Sequence, residues 1–562
     1  MFRCPASAIL ILIMASVVSG AMVVVDDDGA GNFTTIQEAI NASETGDEIV
    51  VLNGTYPENL VVGRSIVLKG EGDPVVKGSG LSGPLITVTS KNVTLEGLTF
   101  SGSINDGLNY DAVLVLADGC RFLNNTVYRA PGHGLCLRDS RDHFVSGNVI
   151  YDNLEGGVCV IGANFSRMVG NEIFRNRKWG VDLEDCQFNE LTANDVHGNG
   201  EVGIHDHSSI RNMFVGNKIY DNAEDGIHMM NSNYIIFIEN EIHENGLNGI
   251  DLQRTSRVFL VGNVIHNCGE VGLMLVESSD NNVISKNIIS DNGINGIGIY
   301  GCHVTTISNN DLFNNSYNGI SLRDGTGSSL VYNNKVHGNA RYGLNLEDSS
   351  SNFLQNNEIY ENMNGVVMAR SYNNTLVSNE VYSNRFGLSL EFINEIVISE
   401  NGIYNNTDAG VQVVRCDQSK IWANEINGNG RDGIHVSGSE NTTVSNNDIW
   451  NNDGYGIQLM DFSAQNLFMY NSILGNGAGG IYLYEAQMNM MSGNILSENQ
   501  KFNARDNGGN VWLGNFYSDY SGKDLDGDEV GDEPHLIYGR RGAMSVDPKP
   551  FVTPEWLEGG RV

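Results

Sequence analysis

The sequence predicts an all-β solenoid, and two observations predict it. Asn-x-apolar triplets recur at Asn125, Asn148, Asn171, Asn194, Asn217, Asn240 and onward to Asn494, every spacing falling between 22 and 24 residues. Most repeats then carry a second Asn, such as Asn199, Asn222 or Asn245, and four residues later a Gly-apolar-x-apolar segment such as Gly249-Ile-Asp-Leu or Gly343-Leu-Asn-Leu. A period this short, with two-residue alternation and no helical spacing, holds two or three short strands per repeat. One repeat cannot bury its own apolar face. Stacking repeats about 4.8 Å apart makes the Ile and Leu columns a continuous interior and pairs each strand with its neighbours. The Asn columns then fall at turns, where amides can bond along the axis.

The elements follow in chain order. Residues 1–21 place Arg3 before the apolar run Ile9 to Met14 and end in Ser19-Gly20-Ala21, the pattern of a secretory signal, so the mature chain is expected to begin at Met22. Residues 22–59 read as an N-terminal cap, in which residues 34–42 form a short amphipathic helix with the capping box Thr35-x-x-Glu38. Residues 60–500 carry the repeats. After Asn499 the period breaks, and residues 501–562 read as a C-terminal cap with an acidic loop.

Composition excludes several classes. The chain has 68 acidic and 33 basic residues, a formal charge of -35, which argues against nucleic acid or an anionic membrane surface as partner. Past the signal, no run of eighteen apolar residues offers a membrane span. With 67 glycines, nine prolines and 40% hydrophobic residues, the chain can build a core and is neither collagen-like nor disordered. The triplets Asn53-Gly-Thr, Asn92-Val-Thr and Asn441-Thr-Thr fit an exported glycoprotein, extracellular or on the cell surface.

The repeat Asn-x-Ile-x-x-Asn-x-x-x-Gly-Ile-x-Leu resembles that of the right-handed parallel β-helix families, within them the NosD-like and carbohydrate-active groups. The resemblance covers roughly residues 60 to 500 and implies a right-handed parallel β-helix solenoid of about 23 residues per coil. It implies little about activity, since the architecture hosts lyases, glycosidases, epimerases, adhesins and copper-pathway proteins. The segment at 34–42 is similar to the entry helix of pectinesterase-type β-helices, and the residues after Asn510 to the end of NosD-like proteins. Gly203-Ile-His-Asp-His-Ser resembles the Gly-aromatic-Asp-Pro-His-acidic segment of alginate epimerases, matching a catalytic position only at His207. Gly132-His133-Gly134 resembles the Gly-His-Gly of polygalacturonases, although the paired aspartates of that family are missing and Asp111 stands alone.

Alternation places the x of Gly-apolar-x-apolar on the outer surface, where the column reads Cys136, Cys159, Asp182, His205, His228, Asp251, Met274, Gly298, Ser321, Asn345. Imidazoles and carboxylates at coil spacing can converge on a divalent cation or a sugar. The candidate catalytic residues are therefore His205, His207, His228, Asp182 and Asp251, with histidine as the base near neutral pH. Arg138, Glu184, Asp206 and Arg254 are candidate substrate-binding residues. Asp206 interrupts an otherwise apolar inward column, so it must either sit in the core at a cost of several kcal/mol or force a bulge that turns it outward. A solvated polar face is the competing reading of the whole column.

The cysteines divide into two groups. Cys186, Cys302 and Cys416 fall in a column otherwise held by Ser140, Ser209, Ser232, Thr255, Ser278 and Ser349 and read as small fillers, while Cys268 occupies one place in the Asn column. Cys136 and Cys159 sit on consecutive coils, close enough for a disulfide, a shared soft metal or two free thiols. Asp524, Asp526, Asp528 and Asp532 offer oxygen ligands at alternating positions and are candidate Ca2+ ligands. Met460, Met469, Met488, Met490 and Met491 could serve copper, the metal that the NosD-like resemblance implies, or fill interior gaps. Together these readings point to a secreted or surface β-helix protein that binds polysaccharide or cell-envelope glycan. The alternatives are a polysaccharide-modifying enzyme (uronate lyase, epimerase or glycosidase) and a copper-handling protein.

Overall fold

The computed structural model describes residues 20–78, 83–102 and 110–555; the signal pattern at 1–21 lies, through residue 19, outside the described residues. The chain divides into two compact units, Met1–Glu172 and Ile173–Val562. Both are built from coils of three short strands that run parallel to their counterparts one coil away.

One coil of the second unit shows the plan. Its strands are Met213–Val215, Lys218–Tyr220 and Ile227–Met230, and they pair in register with the next coil through Phe214 and Phe237, Ile219 and Ile242, and Ile227 and Ile250. Repetition turns the three strand positions into three parallel sheets, here called first, second and third in chain order. Alternation buries one side: Phe214, Ile219, Ile227 and Met229 are fully covered. The expected parallel β-helix with coils of about 23 residues is thus found. The first unit follows the same plan, with registers such as Phe122 to Val145, Val127 to Ile150 and Leu137 to Val160.

Each coil is closed by asparagine. The Asn217 amide donates to Asn240 Oδ1 at 3.0 Å and to the Leu191 carbonyl at 2.8 Å, while Asn240 Oδ1 also accepts the Asn217 backbone N–H at 3.0 Å. Both amide hydrogens and both carbonyl lone pairs are used, so the hydrogen bonds offset the cost of burying these side chains. A second ladder runs through Asn199, Asn222 and Asn245. It explains the glycine four residues on. A Cβ on Gly203 would stand 2.7 Å from Asn222 Nδ2 and 2.6 Å from the Gly226 carbonyl oxygen. Close approach, rather than backbone angle, requires glycine there.

The ends differ from expectation. Coil pairing begins before residue 60, with Val24 in register with Val50 and Ile49 with Leu68, and it continues past 500 through Ala504–Asp506, Val511–Leu513 and Phe516–Tyr517. Here the return shortens to 21 residues, which hides it from a 23-residue pattern. The helix is found at Ile36–Ala42, but Thr35 makes no side-chain cap. The Glu58 carboxylate takes that place, accepting the Ile36 and Gln37 amides at 2.7 and 2.9 Å. At the other end a hairpin, His535–Tyr538 with Met544–Asp547, brings Asp547 against the last ladder residues. Asp547 accepts from Gly514 N, Asn515 N, Asn515 Nδ2 and Tyr517 OH, all at 3.0 to 3.1 Å. A carboxylate accepts without donating, so it can end a chain of amides.

Candidate functional site

The outer face of the third sheet holds most of the residues singled out from the sequence. In the second unit Asp182, His205, His228 and Asp251 lie in one register column, each one coil from the next. His205 stacks on His228 with ring centroids 5.8 Å apart, and Trp179 stacks on His205 at 5.2 Å. The Trp179 ring comes from the turn that enters the preceding strand, just before Gly180.

Outward does not mean exposed. Asp182 and Asp251 are only 8% and 5% accessible, and in the first unit Cys136 and Cys159, at the equivalent repeat position, are fully buried. Asp182 Oδ1 accepts from His205 Nδ1 at 2.8 Å. His228 Nδ1 faces two carboxylates, Asp225 Oδ2 at 3.3 Å from its own turn and Asp251 Oδ2 at 3.4 Å from the next coil. The hydrogen bonds that His228 donates to Asp225 and then to Asp251 raise its pKa to about 9, against burial, which pushes it down. His228 is therefore charged at neutral pH. It serves as a cation and donor, and the sequence-based expectation of a neutral base does not apply to it.

Other expected members fall elsewhere. His207 lies two residues on from His205, in a second outward column with Glu184 and Met230, and contacts Ser208 and Asn231. Arg254 is exposed and engaged by Asn231 and Glu277. Arg138 belongs to the first unit, at the exposed end of Leu135–Arg138, 3.9 Å from Cys136 Sγ. Asp206 is the clear correction. It keeps strand register between Leu183 and Met229, no bulge forms, and it is completely buried, so it cannot touch a substrate. Ser232 Oγ donates to it at 2.6 Å and Asn212 Nδ2 at 3.1 Å, and burial pushes its pKa up.

The remaining candidates resolve individually. Asp111, alone in the sequence, accepts from His133 Nδ1 at 2.9 Å. None of the seven described cysteines is in a disulfide, and Cys136 and Cys159 Sγ lie 3.2 Å apart. Cys186, Cys302 and Cys416 are buried in the hydroxyl column as expected, but that column passes through Ser279 rather than Ser278, because one coil is a residue longer. Met491 packs inside between Phe468 and Trp512, Met488 is 63% exposed at a turn, and Met460 lies in a different sheet, so these three do not share one place. Asp524, Asp526 and Asp528 bring oxygens within 4.8 Å of one another. Asp524 accepts from Gly527 N and Glu529 N, and Asp532 turns to Leu525 N.

Two surface features were missed from the sequence. His197, Tyr220, His243 and His266 stack along the outer second sheet with centroids 4.7 to 5.0 Å apart, and Phe313, His337, Tyr360, Tyr382 and Tyr404 do so at 4.8 to 5.2 Å. Every one is the third residue after a first-ladder Asn, a legible signal. Neighbouring rings occupy the faces, so the row offers mainly edges. Along the first sheet a groove of about 460 Å3 is lined by Phe188, Arg211, Tyr234 and Phe259, with the Arg211 guanidinium 5.4 Å from both the Phe188 and Tyr234 rings.

Residues 40–225 match the family described as periplasmic copper-binding protein (NosD). A cell surface glycoprotein of Methanothermus fervidus is 35% identical over 124 residues, 22% of this chain, and the chain spans only 20% of that relative's length. Among solved structures, the A-module of the mannuronan C-5 epimerase AlgE6 of Azotobacter vinelandii is 16% identical, with 61% of this chain and 92% of that chain covered at a TM-score of 0.40. The Dettilon tailspike protein is 17% identical, with 51% and 59% covered at a TM-score of 0.41. Residues 191–335, 324–461 and 387–521 match the family described as right handed beta helix region, together more than half of the sequence, and the chain belongs to this right-handed β-helix family.

Proposed function

We propose that the protein is an exported β-helix at the cell surface that binds carbohydrate or an envelope polymer along the outer face of its third sheet. The observation that carries this reading is the row Trp179, His205, His228, in which an indole and two imidazoles are stacked beside Asp182, Asp225 and Asp251. Apolar ring surface bordered by fixed polar groups is what sugar recognition requires. The Arg211 groove of the first sheet is a second surface of the same character, suited to an acidic glycan. A surface location is supported by the name of the Methanothermus fervidus relative and by the exposure of the glycosylation candidates Asn53, Asn92 and Asn441. Glycan arrays probed with the purified protein test the reading. Binding that is lost in Trp179→Ala and His205→Ala supports it, and a folded protein that binds no glycan refutes it.

A polysaccharide-modifying enzyme is favoured by one separate observation, the 2.8 Å hydrogen bond between His205 and Asp182. A carboxylate that orients an imidazole is the arrangement proton abstraction needs. Unsaturated uronate or epimerised product, abolished in His205→Ala and retained in His207→Ala, would establish it, because His207 stands in the other column. Copper handling rests on the NosD match alone, and copper titration of the purified protein tests it.

A further inference from the structure

We propose that Asp225, His228 and Asp251 form a binding site for a divalent cation of the Zn2+ or Mn2+ class on the outer face of the third sheet. The three side chains come from adjacent coils: Asp225 from the turn before the strand, His228 from the strand itself, and Asp251 from the register position one coil on. Their side chains are 8%, 18% and 7% accessible, so the cluster is largely covered and still reaches solvent.

Two carboxylates facing one ring nitrogen separate this cluster from the neighbouring ion pair. His228 Nδ1 lies 3.3 Å from Asp225 Oδ2 and 3.4 Å from Asp251 Oδ2, whereas the neighbouring His205 makes a 2.8 Å contact with Asp182. One Nδ1–H shared between two acceptors makes long three-centre bonds, whereas a single charge-assisted hydrogen bond closes to about 2.7–2.9 Å. Tetrahedral ligands about 2.0–2.1 Å from a metal lie about 3.3–3.4 Å from one another; His228 Nδ1 stands at that spacing from both carboxylate oxygens, and the three ligand atoms lie within 4.8 Å of one another. An ion at the centre would take the place of the proton on Nδ1.

A second observation points the same way. Asp251 Oδ1 is buried and has no hydrogen-bond partner, a costly state for a carboxylate oxygen. The other oxygens are held in place: Asp225 Oδ1 accepts from Asn248 N and Nδ2 at 2.8 and 3.0 Å, and Asp251 Oδ2 accepts from Gln253 Nε2 at 2.9 Å. Supporting bonds of this kind orient metal ligands. Two carboxylates and an imidazole suit a borderline or hard dication, and the set contains no thiolate or thioether to favour Cu+.

The chain carries its own control. Asp432-Gly-Ile-His435 repeats the Asp225-Gly-Ile-His228 segment, and His435 Nδ1 again faces the turn aspartate, Asp432 Oδ2, at 3.2 Å. In the third position stands Gln458, whose Oε1 is 3.0 Å from His435 Nδ1. With one carboxylate fewer, this copy makes a neutral hydrogen bond where the first has a second anion.

The inference does not depend on glycan binding, because it is measured on the protein alone. The chelator-treated full-length protein is titrated with Zn2+ and Mn2+ by calorimetry, with Co2+ absorption as a report on ligand geometry. The wild type is expected to bind one equivalent that is weakened at least about 100-fold in His228→Ala and in the near-isosteric Asp251→Asn. Asp526→Asn, in the acidic loop, should leave that equivalent unchanged, and Gln458→Asp should add a second. The proposal is overturned if neither Zn2+ nor Mn2+ binds the wild type more tightly than about 100 µM. It is equally overturned if folded Asp251→Asn keeps the full stoichiometry. Should His228→Ala fail to fold, Gln458→Asp decides: no added equivalent sinks the idea.

Discussion

Replacing Asp206 by Asn should stabilise the protein, and increasingly so as pH rises. The carboxylate is fully buried between Leu183 and Met229 and is met by two donors, Ser232 Oγ and Asn212 Nδ2. Removing a carboxylate from water costs several kcal/mol after relaxation, while each hydrogen bond to a charge returns about 1.5–3 kcal/mol, so the net burden at neutral pH is on the order of 1–3 kcal/mol. Asparagine keeps both contacts. Its Oδ1 can accept from Asn212, its amide can donate to Ser232 Oγ, and the Ser232 hydroxyl retains the Met230 carbonyl as acceptor. The sign follows from linkage. Burial raises the folded pKa of Asp206 above the usual 3.8, so the folded state binds the extra proton in that window. Wild-type stability is greatest below 3.8 and falls as pH climbs through the raised pKa. The variant lacks that fall. Denaturant and thermal unfolding of both proteins from pH 4 to 8, with hydrogen exchange on the coils around residue 206 as the local readout, measures the difference. Parallel pH curves, or an Asp206→Asn protein that is less stable than wild type at pH 7.5, would refute the reasoning.

Asp547→Ala strands four donors around Asn515 and Tyr517 and should cost on the order of 3–5 kcal/mol locally, read as early loss of exchange protection in the last coil. His143 is buried, accepts the Cys120 N–H at Nδ1 and contacts Ser140 at Nε2; burial lowers its pKa to about 4. Its contribution is complete above 6.5 and falls by up to ~3 kcal/mol as pH drops towards 4, so a His143 resonance that titrates near 6.5 in the folded protein would contradict it. Calorimetry with Ca2+ should give millimolar binding that Asp526→Asn and Asp528→Asn remove; no heat in the wild type would leave the loop as an acidic turn.

Much of the site was legible because register is periodic. Once residues 23 apart are neighbours, Asp182, His205, His228 and Asp251 must form a row, and they do. The place of Asp225 was less visible, since its role depends on a turn that folds back three residues onto His228. Three features could not be read: the cover over Cys136 and Cys159, the pairing of Asp206 with Ser232, and the substitution of Glu58 for the capping box. Each depends on which side chain a neighbouring coil or turn presents at one point, and a repeat pattern averages such points away. The aromatic row at His197, Tyr220, His243 and His266 was different, for it obeys the same period as the asparagines.

By itself the sequence determined the coil: its length, its short strands, its inward apolar columns and its amide ladders. These are properties of one repeat that stacking merely multiplies, so local periodicity suffices. Tertiary structure alone decided where the repetition stops and which outward groups are covered. Asp547 ends the ladder from a hairpin beyond the last coil, and Trp179 reaches His205 from a turn. Such contacts occur once, between residues with no periodic relation, and only the folded chain brings them together.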